Sequence, residues 1–359
     1  MKASPQSGGR DDLKRAAKTL VAVAAFAIVV AAGLVIAGLV ALSSLDKPTG
    51  ALNAEGTSFT VGHGESGISV ARRLAEESII RNEYLFRLLM KAKGLELSLK
   101  AGDYAIAPDM GSNAILDMMA EGRQVLIRFT VPEGSSVRSV ALAAEAAGIA
   151  TAGDVTDAAS DPALAEELGI IAGTLDGYLF PDTYLLPRGA GGRRLVSIMV
   201  DTFTKRLQEA IPEAGSLSPE ELHDRVILAS IVEREYRVPE EAPLMASVFL
   251  NRLRIGMALQ SCATVVYIIA EKQGKPHPTR LFDRDLQIQD PFNTYLYPGL
   301  PPAPICNPGL TALSAALRPA STKYLYFRLV DESNGKHYFS ASLDEHIKAA
   351  SLAVKPRSR

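Results

Sequence analysis

The feature that most constrains the fold of this sequence is an uninterrupted apolar run near its N-terminus. Leu20–Leu42 contains 23 residues without a charged or strongly polar side chain. At about 1.5 Å per residue, a helix of this length crosses a hydrocarbon core of about 30 Å. The run is longer than the roughly 7–15 apolar residues of a cleaved signal peptide. We therefore predict a retained transmembrane helix over residues 19–42.

Charge determines the predicted orientation of this span. Residues 1–42 carry five basic and two acidic side chains, and all seven precede the apolar run. The positive-inside rule therefore predicts a cytoplasmic tail over 1–18 and places the rest of the chain outside the cytoplasm, on a single-pass protein of the inner (cytoplasmic) membrane. Cytosolic cofactors such as NAD and ATP are not expected there. The remaining residues carry 33 basic and 38 acidic side chains, which argues against nucleic-acid binding.

The part after the span divides by composition and periodicity. Residues 43–57 are rich in Ser, Gly, Pro and Ala and are typical of a linker. Residues 58–124 show a β-α-α-β pattern followed by a further helix. Residues 125–356 predict a larger body with mixed helices and strands, so the fold class is α+β. In this body the loop 173–184 is dense in Gly, Pro and aromatic residues, which suits either an ordered binding loop or a packed turn.

Two segments of the outer part resemble each other. Residues 59–71 and 129–141 align with eight of thirteen positions identical. Each predicts a strand, a tight turn at Gly64 or Gly134, and a helix that begins at a Ser cap. The first segment also contains a GxGxxG pattern, but the second keeps only the middle glycine, so a turn explains the pattern better than a dinucleotide site does.

The common catalytic motifs are absent from the sequence. It has no HExxH, CxxC, Walker A or GxSxG pattern, and its five His are scattered without metal-ligand spacing. We therefore expect no metal. What remains is carboxylates together with stretches rich in Asn, Gln, Thr and Tyr, a composition typical of sugar recognition and glycosidic acid–base chemistry.

Two glutamates lie in a helix that is otherwise apolar on nearly every face. The predicted helix Glu220–Arg237 carries Glu233 and Glu235 at its C-terminal end. Burial of either carboxyl group would raise its pKa toward the range of a general acid at neutral pH. Alternatively, one or both form structural ion pairs with nearby arginines. Helix geometry alone does not choose between these roles.

A series of ordered motifs resembles the YceG-like family, the membrane-anchored endolytic murein transglycosylases. The motifs match this family in type and order: Val131-Pro-Glu-Gly134, Gly177–Tyr184, Ala229–Glu235, Ala246–Leu253, Gly256–Ser261, Asn293-Thr-Tyr295, Gly299–Pro302, Asn307-Pro-Gly309 and Tyr324–Phe327. The resemblance implies a LysM-like subdomain over 58–124 and a YceG-like catalytic domain over 125–356. It also implies that Glu233 is the essential carboxylate.

The resemblance further implies a reaction and its partners. The enzyme would cleave the β-1,4 bond between N-acetylmuramic acid and N-acetylglucosamine in peptidoglycan strands, leave a 1,6-anhydro end and so terminate strand growth. It needs no cofactor, and its partners would be glycan strands and peptidoglycan synthases. Gln260, Ser261, Asn293 and Tyr295 are the candidates for substrate binding, each with a structural cap or turn as the alternative.

The sequence departs from the family pattern at Cys262-Ala263, where the familiar form reads Asp-Pro. Cys262 and Cys306 follow or precede motifs that the resemblance places around one cleft, and the compartment is oxidising. We therefore predict a disulfide between Cys262 and Cys306. The alternative is two free thiols.

Two other functions fit the same residues. One is a non-catalytic, membrane-anchored scaffold that binds glycan and does not need Glu233. The other is a hydrolase that uses Glu233 with Glu235 or Asp290 as a second carboxylate.

Overall fold

The computed structural model describes residues 18, 20, 21, 23–33, 36, 43, 46–52, 56–62 and 64–352. Residues 23–33 are helical. Within the described residues, no helix combines the length and the apolar content that crossing a membrane requires. Ten positions of the predicted span lie outside the described residues, namely 19, 22, 34, 35 and 37–42.

The chain divides into two compact units between Val125 and Leu126. The described part of the smaller unit contains strands β1 (Thr57–Val61) and β2 (Gly102–Ile106) and helices α1 (Gly67–Glu76), α2 (Glu83–Lys93) and α3 (Ser112–Glu121). The two strands pair antiparallel, with Phe59 opposite Tyr104. The β-α-α-β order therefore agrees with the sequence pattern.

The core of the smaller unit lies between its sheet and its helices. Phe59 and Tyr104 point from neighbouring strands into a cluster with Leu74, Phe86 and Met119. The helix α2 begins at Asn82, whose side chain accepts a hydrogen bond from the Leu85 amide, and ends at Gly94 in the left-handed conformation. These local signals explain the close match between sequence and structure in this unit.

The larger unit is mainly helical. Its longer elements are β3 (Leu126–Thr130), α4 (Val137–Ala146), α5 (Ala152–Ala159), α6 (Pro162–Glu167), β4 (Thr183–Pro187), α7 (Gly192–Ala210), α8 (Pro219–Glu235), α9 (Ala242–Arg254), α10 (Cys262–Tyr267), α11 (Leu310–Leu317), β5 (Tyr326–Asp331), β6 (Lys336–Ser340) and α12 (Leu343–Lys348). Its strands pair antiparallel as β3 with β4 and β5 with β6. The mixture of helices and antiparallel strands agrees with the predicted α+β class.

Helix α8 is the central element of this unit. It begins at a capping box in which Ser218 accepts from the Glu221 amide and the Glu221 side chain accepts from the Ser218 amide. Its residues 226–232 are all buried, and it packs against α9, α10 and α11. The end of α8, where the two glutamates lie, is thereby held in a well-packed frame.

The two similar segments adopt the same local structure. In each, a strand leads through a glycine with φ near +70° into a helix capped by a serine, Ser66 or Ser136. Each serine accepts from the amide three residues on. The strand–turn–helix prediction is confirmed.

The loop 173–184 is a packed turn. Leu175, Tyr178 and Leu179 are buried in the core of the larger unit. The amides of Gly177 and Leu179 both donate to the Asn307 side chain, at 3.0 Å. Of the two alternatives for this loop, the packed turn describes these residues.

Candidate functional site

Glu233 lies at the C-terminal end of α8, where two other segments of the chain meet the helix. Its Oε2 accepts a hydrogen bond of 2.9 Å from the Gly309 amide, which directly precedes α11. Gly134 also lies beside this residue: a Cβ built on Gly134 would be in van der Waals contact with Glu233 Cγ, at 3.6 Å. The Tyr236 hydroxyl also interacts with this carboxyl group.

The surroundings of Glu233 favour its protonated form. Burial raises the pKa of Glu233 to about 7, and the negative charge of Glu133 acts in the same direction. The Gly309 amide, the Arg234 charge and the Tyr236 hydroxyl lower this pKa in part. A carboxyl group with a pKa near neutrality can both donate and accept a proton under ordinary conditions, which is the property of a general acid–base.

Glu133 is a functional candidate that the sequence analysis missed. Its side chain lies against Gly309: a Cβ built on that glycine would be 1.9 Å from Glu133 Oε1. The motif Val131–Gly134 was recognised, but nothing in a single sequence shows that residue 133 reaches residue 233. Only the fold brings the two carboxyl groups together.

Glu235 lies on the other side of α8, because residues two apart in a helix differ by about 200° in direction. It lines a cavity of about 350 Å³ with Arg252, Gln260, Ser261, Cys262, Tyr295, Tyr326 and other residues. Ser261 Oγ donates to Glu235 Oε1 at 2.6 Å. Burial raises the pKa of Glu235, while Ser261, the Ala263 amide and the charges of Arg234 and Arg252 lower it in part.

Three of the four predicted binding residues, Gln260, Ser261 and Tyr295, line this cavity. Gln260 is exposed, and its backbone φ of +49° lies in the left-handed region, which residues other than glycine rarely adopt. Its amide donates to Thr294 O at 3.0 Å, and the Ser261 amide donates to Thr294 Oγ1 at the same distance. Thr294 therefore holds the segment that presents Gln260 and Ser261.

The fourth predicted binding residue, Asn293, is not available to a ligand. It is fully buried. Its Nδ2 donates to Leu286 O and Ile288 O, and its Oδ1 accepts from the Tyr295 amide. These three bonds shape the loop before Tyr295, so Asn293 has the structural role that was its alternative.

The predicted disulfide is wrong in this structure, since both cysteines are free. Cys306 is buried beside α8 and donates to Ser230 O at 3.3 Å. Cys262 is exposed, with its sulfur 3.0 Å from Tyr295 Oη. Each thiol lies near a different glutamate: besides burial, the charge of Glu233 contributes to the raised pKa of Cys306, and Cys262 lines the cavity of Glu235. Proximity of each cysteine to a family motif was therefore insufficient evidence for a bond between them.

The alternative second carboxylate, Asp290, already has partners. It forms an ion pair with Lys272 at 2.5 Å and accepts from the Phe292 amide. In the part of the chain that the structure describes, no group of three or more His, Cys, Asp or Glu is arranged to hold a metal ion.

Comparison with known proteins places these residues in a wider context. The model of the YceG-like family matches residues 59–351 of this chain. The endolytic murein transglycosylase of Bacillus subtilis (strain 168) is 29% identical over 311 residues, which cover 82% of this chain and 84% of that protein. The endolytic murein transglycosylase of Streptococcus pneumoniae serotype 2 (strain D39) is 28% identical over 322 residues, covering 80% of this chain and 57% of that protein.

A solved structure is similar in fold. The 2.6 Å crystal structure of a YceG-like protein from Listeria monocytogenes aligns with a TM-score of 0.54 at 29% sequence identity. The alignment covers 82% of this chain and 99% of that one.

Proposed function

Since the chain belongs to the YceG-like family, we propose that it is an endolytic murein transglycosylase with Glu233 as its catalytic acid and base. The observation that carries this proposal is a half-buried glutamic acid whose pKa is raised to about 7, at the meeting point of α8 with the segments around Gly134 and Gly309. Two of its relatives, from Bacillus subtilis and Streptococcus pneumoniae, are endolytic murein transglycosylases, which supports the reaction class.

The proposed reaction needs a single carboxyl group that changes its protonation state twice. Protonated Glu233 donates its proton to the glycosidic oxygen as the bond from muramoyl C1 to that oxygen breaks. The resulting carboxylate then removes the proton of the muramoyl C6 hydroxyl, whose oxygen forms a bond to C1 and closes the 1,6-anhydro ring. Glu233 ends protonated, and no water is consumed. Because the nucleophile belongs to the substrate, its effective concentration is high.

The cavity beside Glu235 is the proposed binding site for a sugar unit of the glycan. Glu235, Gln260 and Tyr295 offer hydrogen-bonding groups along its wall, and Tyr326 adds an aromatic ring. Ser261 is almost fully buried and donates to Glu235, so its proposed role is to orient that carboxyl group. Cys262, where this sequence departs from the family pattern, lines the same cavity.

The proposed cellular setting rests on the sequence. The apolar run and the basic residues before it support a single span of the inner (cytoplasmic) membrane over 19–42, a cytoplasmic N-terminus and a periplasmic or otherwise extracytoplasmic catalytic domain. The β-α-α-β unit is proposed to be LysM-like and to bind peptidoglycan. Termination of nascent strands and contact with peptidoglycan synthases follow from this setting as further proposals.

Product analysis tests the reaction. Uncrosslinked glycan strands are digested with the purified outer part of the protein, and internal cleavage products are weighed by mass spectrometry. Closure of an anhydro ring leaves the summed mass of the products equal to that of the strand, whereas hydrolysis adds one water. Glu233→Gln is the matched inactive control, with thermal unfolding as the test of its fold. Binding of glycan without cleavage would instead support a non-catalytic scaffold, and products that contain an added water would indicate a hydrolase.

A reporter fused after Arg359 tests the topology. Activity of a periplasmic reporter is expected there, and activity of a cytoplasmic reporter at this end would contradict the proposed orientation.

A further inference from the structure

The turn that carries Glu133 is fixed to the segment that contacts Glu233. The Gly134 amide donates to Asn307 O at 2.9 Å, and the Asn307 amide donates to Ser135 O at 2.9 Å. Asn307 Nδ2 also donates to Ser135 O, at 2.8 Å. Asn307 is almost fully buried. Gly134 and Ser135, which directly follow Glu133, are therefore attached by three hydrogen bonds to Asn307, two residues before Gly309.

Gly309 serves both carboxyl groups. Its amide donates to Glu233, while the space that a side chain would need is occupied by the Glu133 carboxyl group. A Cβ at position 309 would be 1.9 Å from Glu133 Oε1 and 2.3 Å from Glu133 Cδ, closer than any real contact. A glycine here therefore allows Glu133 to lie directly over the backbone that holds Glu233.

We propose that Glu133 is a positioning residue of the transglycosylase site, whose carboxylate acts on the reaction through Glu233. This inference rests on the proposed function for its catalytic consequence. Glu133 is exposed to solvent, whereas Glu233 is half-buried against the Gly309 backbone, so the negative charge of Glu133 lies beside a carboxyl group that is less well solvated. The charge of Glu133 disfavours a second negative charge on Glu233 and keeps the proton on the residue that must donate it.

The other groups near Glu233 do not supply this effect. Arg234 and the Tyr236 hydroxyl stabilise the ionised form of Glu233, as the Gly309 amide does. Cys306 lies nearby, but burial raises the pKa of its thiol, so it is uncharged at neutral pH. Two factors favour the protonated state of Glu233, namely burial and the negative charge of Glu133.

The test compares Glu133→Gln, which removes the charge, with Glu133→Asp, which keeps it. Glu166→Gln is the matched control, because Glu166 is an exposed glutamate of the same unit on α6. The rate kcat/KM of each variant is measured from pH 5 to pH 9. In the wild type it is expected to fall as Glu233 ionises near pH 7. In Glu133→Gln this fall is expected at lower pH, so that kcat/KM relative to the wild type is about 3-fold or more lower at pH 8 than at pH 5, since half a pH unit changes the protonated fraction about 3-fold.

A second measurement does not depend on activity. The carboxyl ¹³C resonance of Glu233, identified by its loss in Glu233→Gln, is followed through a pH titration in the same variants. A lower midpoint in Glu133→Gln, with Glu133→Asp and Glu166→Gln close to the wild type, supports the proposal. An unchanged midpoint, or an equal shift in Glu133→Gln and Glu133→Asp, overturns it. If the midpoint moves but no variant cleaves glycan, the coupling of the two glutamates stands and the proposed function fails.

Discussion

Glu233 and Glu235 are two residues apart on α8, yet their environments differ in kind. Glu233 accepts a hydrogen bond from the Gly309 amide and interacts with two charges, those of the Glu133 carboxylate and the exposed Arg234. Glu235 accepts a short hydrogen bond from a buried serine and lines a cavity that is open to solvent. Burial raises the pKa of both, but only Glu233 has a second carboxylate that also raises it. A raised pKa alone therefore does not separate a proton donor from a structural or binding carboxyl group, whereas the partners do.

The largest expected effect is on catalysis. Glu233→Gln keeps the shape of the side chain but cannot exchange a proton, so we expect kcat to fall by about 10²-fold or more. Glu235→Gln keeps an oxygen that accepts from Ser261, and we expect a fall of about 10-fold or less. The measurement is the rate of glycan cleavage by both variants, with thermal unfolding as the fold control. Equal losses at the two positions in folded protein would contradict the difference in role.

The next effect is a stability gain that depends on pH. Native Glu233 keeps its proton up to a pKa of about 7, above the value of 4.5 for an unperturbed group. The native state therefore binds more protons than the unfolded state between these values, and the free energy of unfolding falls as pH rises through this window. We expect Glu233→Gln to be more stable than the wild type at pH 8 by up to about 3 kcal/mol, and equally stable at pH 4.

Urea denaturation at the two pH values measures this difference. Glu166→Gln, an exposed change of the same kind, should alter stability by less than about 0.5 kcal/mol at either pH. A gain in Glu233→Gln that is the same at both pH values would show that ionisation of Glu233 is not its source.

Features encoded by neighbouring residues could be predicted from the sequence. The serine caps, the positive-φ glycines of the two similar segments and the apolar length of α8 are local, and the structure has the corresponding elements. Helix α5 was missed: its sequence, Ala152–Ala159, is mostly small residues, which give a weak periodic signal, and its start depends on the side chain of Thr151 as a cap.

The assembly of the site could be predicted only in part. Resemblance pointed to Glu233, but the contact of Glu133 with Gly309 joins residues far apart in sequence, and no local pattern reports it. The errors have the same origin. Asn293 belongs to a motif near a cleft, yet its three hydrogen bonds turn inward to the loop. The two cysteines adjoin motifs of one site but lie with different glutamates of α8.

A smaller effect is expected on the Glu235 side of the comparison. Ser261→Ala removes the hydroxyl that donates to Glu235 at 2.6 Å and leaves a buried carboxyl group without this donor. We expect a loss of about 1–3 kcal/mol in the free energy of unfolding, typical of an unsatisfied buried polar group. Ser139→Ala, at an exposed position of α4, is the control. An equal and negligible change in both variants would mean that Ser261 does not hold Glu235.

The smallest effect concerns the two thiols, which report on the two sides of α8 separately. Cys262 is exposed in the Glu235 cavity, whereas Cys306 is buried, and burial raises the pKa of its thiol, so the reactive thiolate is suppressed. In native protein prepared without reductant, a small thiol reagent should therefore label one residue, Cys262, and in denaturant it should label two. Labelling at this exposed position should change stability by less than about 0.5 kcal/mol, but a label that fills the cavity should weaken glycan binding.

Cys262→Ala should leave no reactive thiol in the native protein. Equal labelling of both residues before unfolding would contradict the burial of Cys306, and no labelling even in denaturant would indicate the disulfide that the structure lacks.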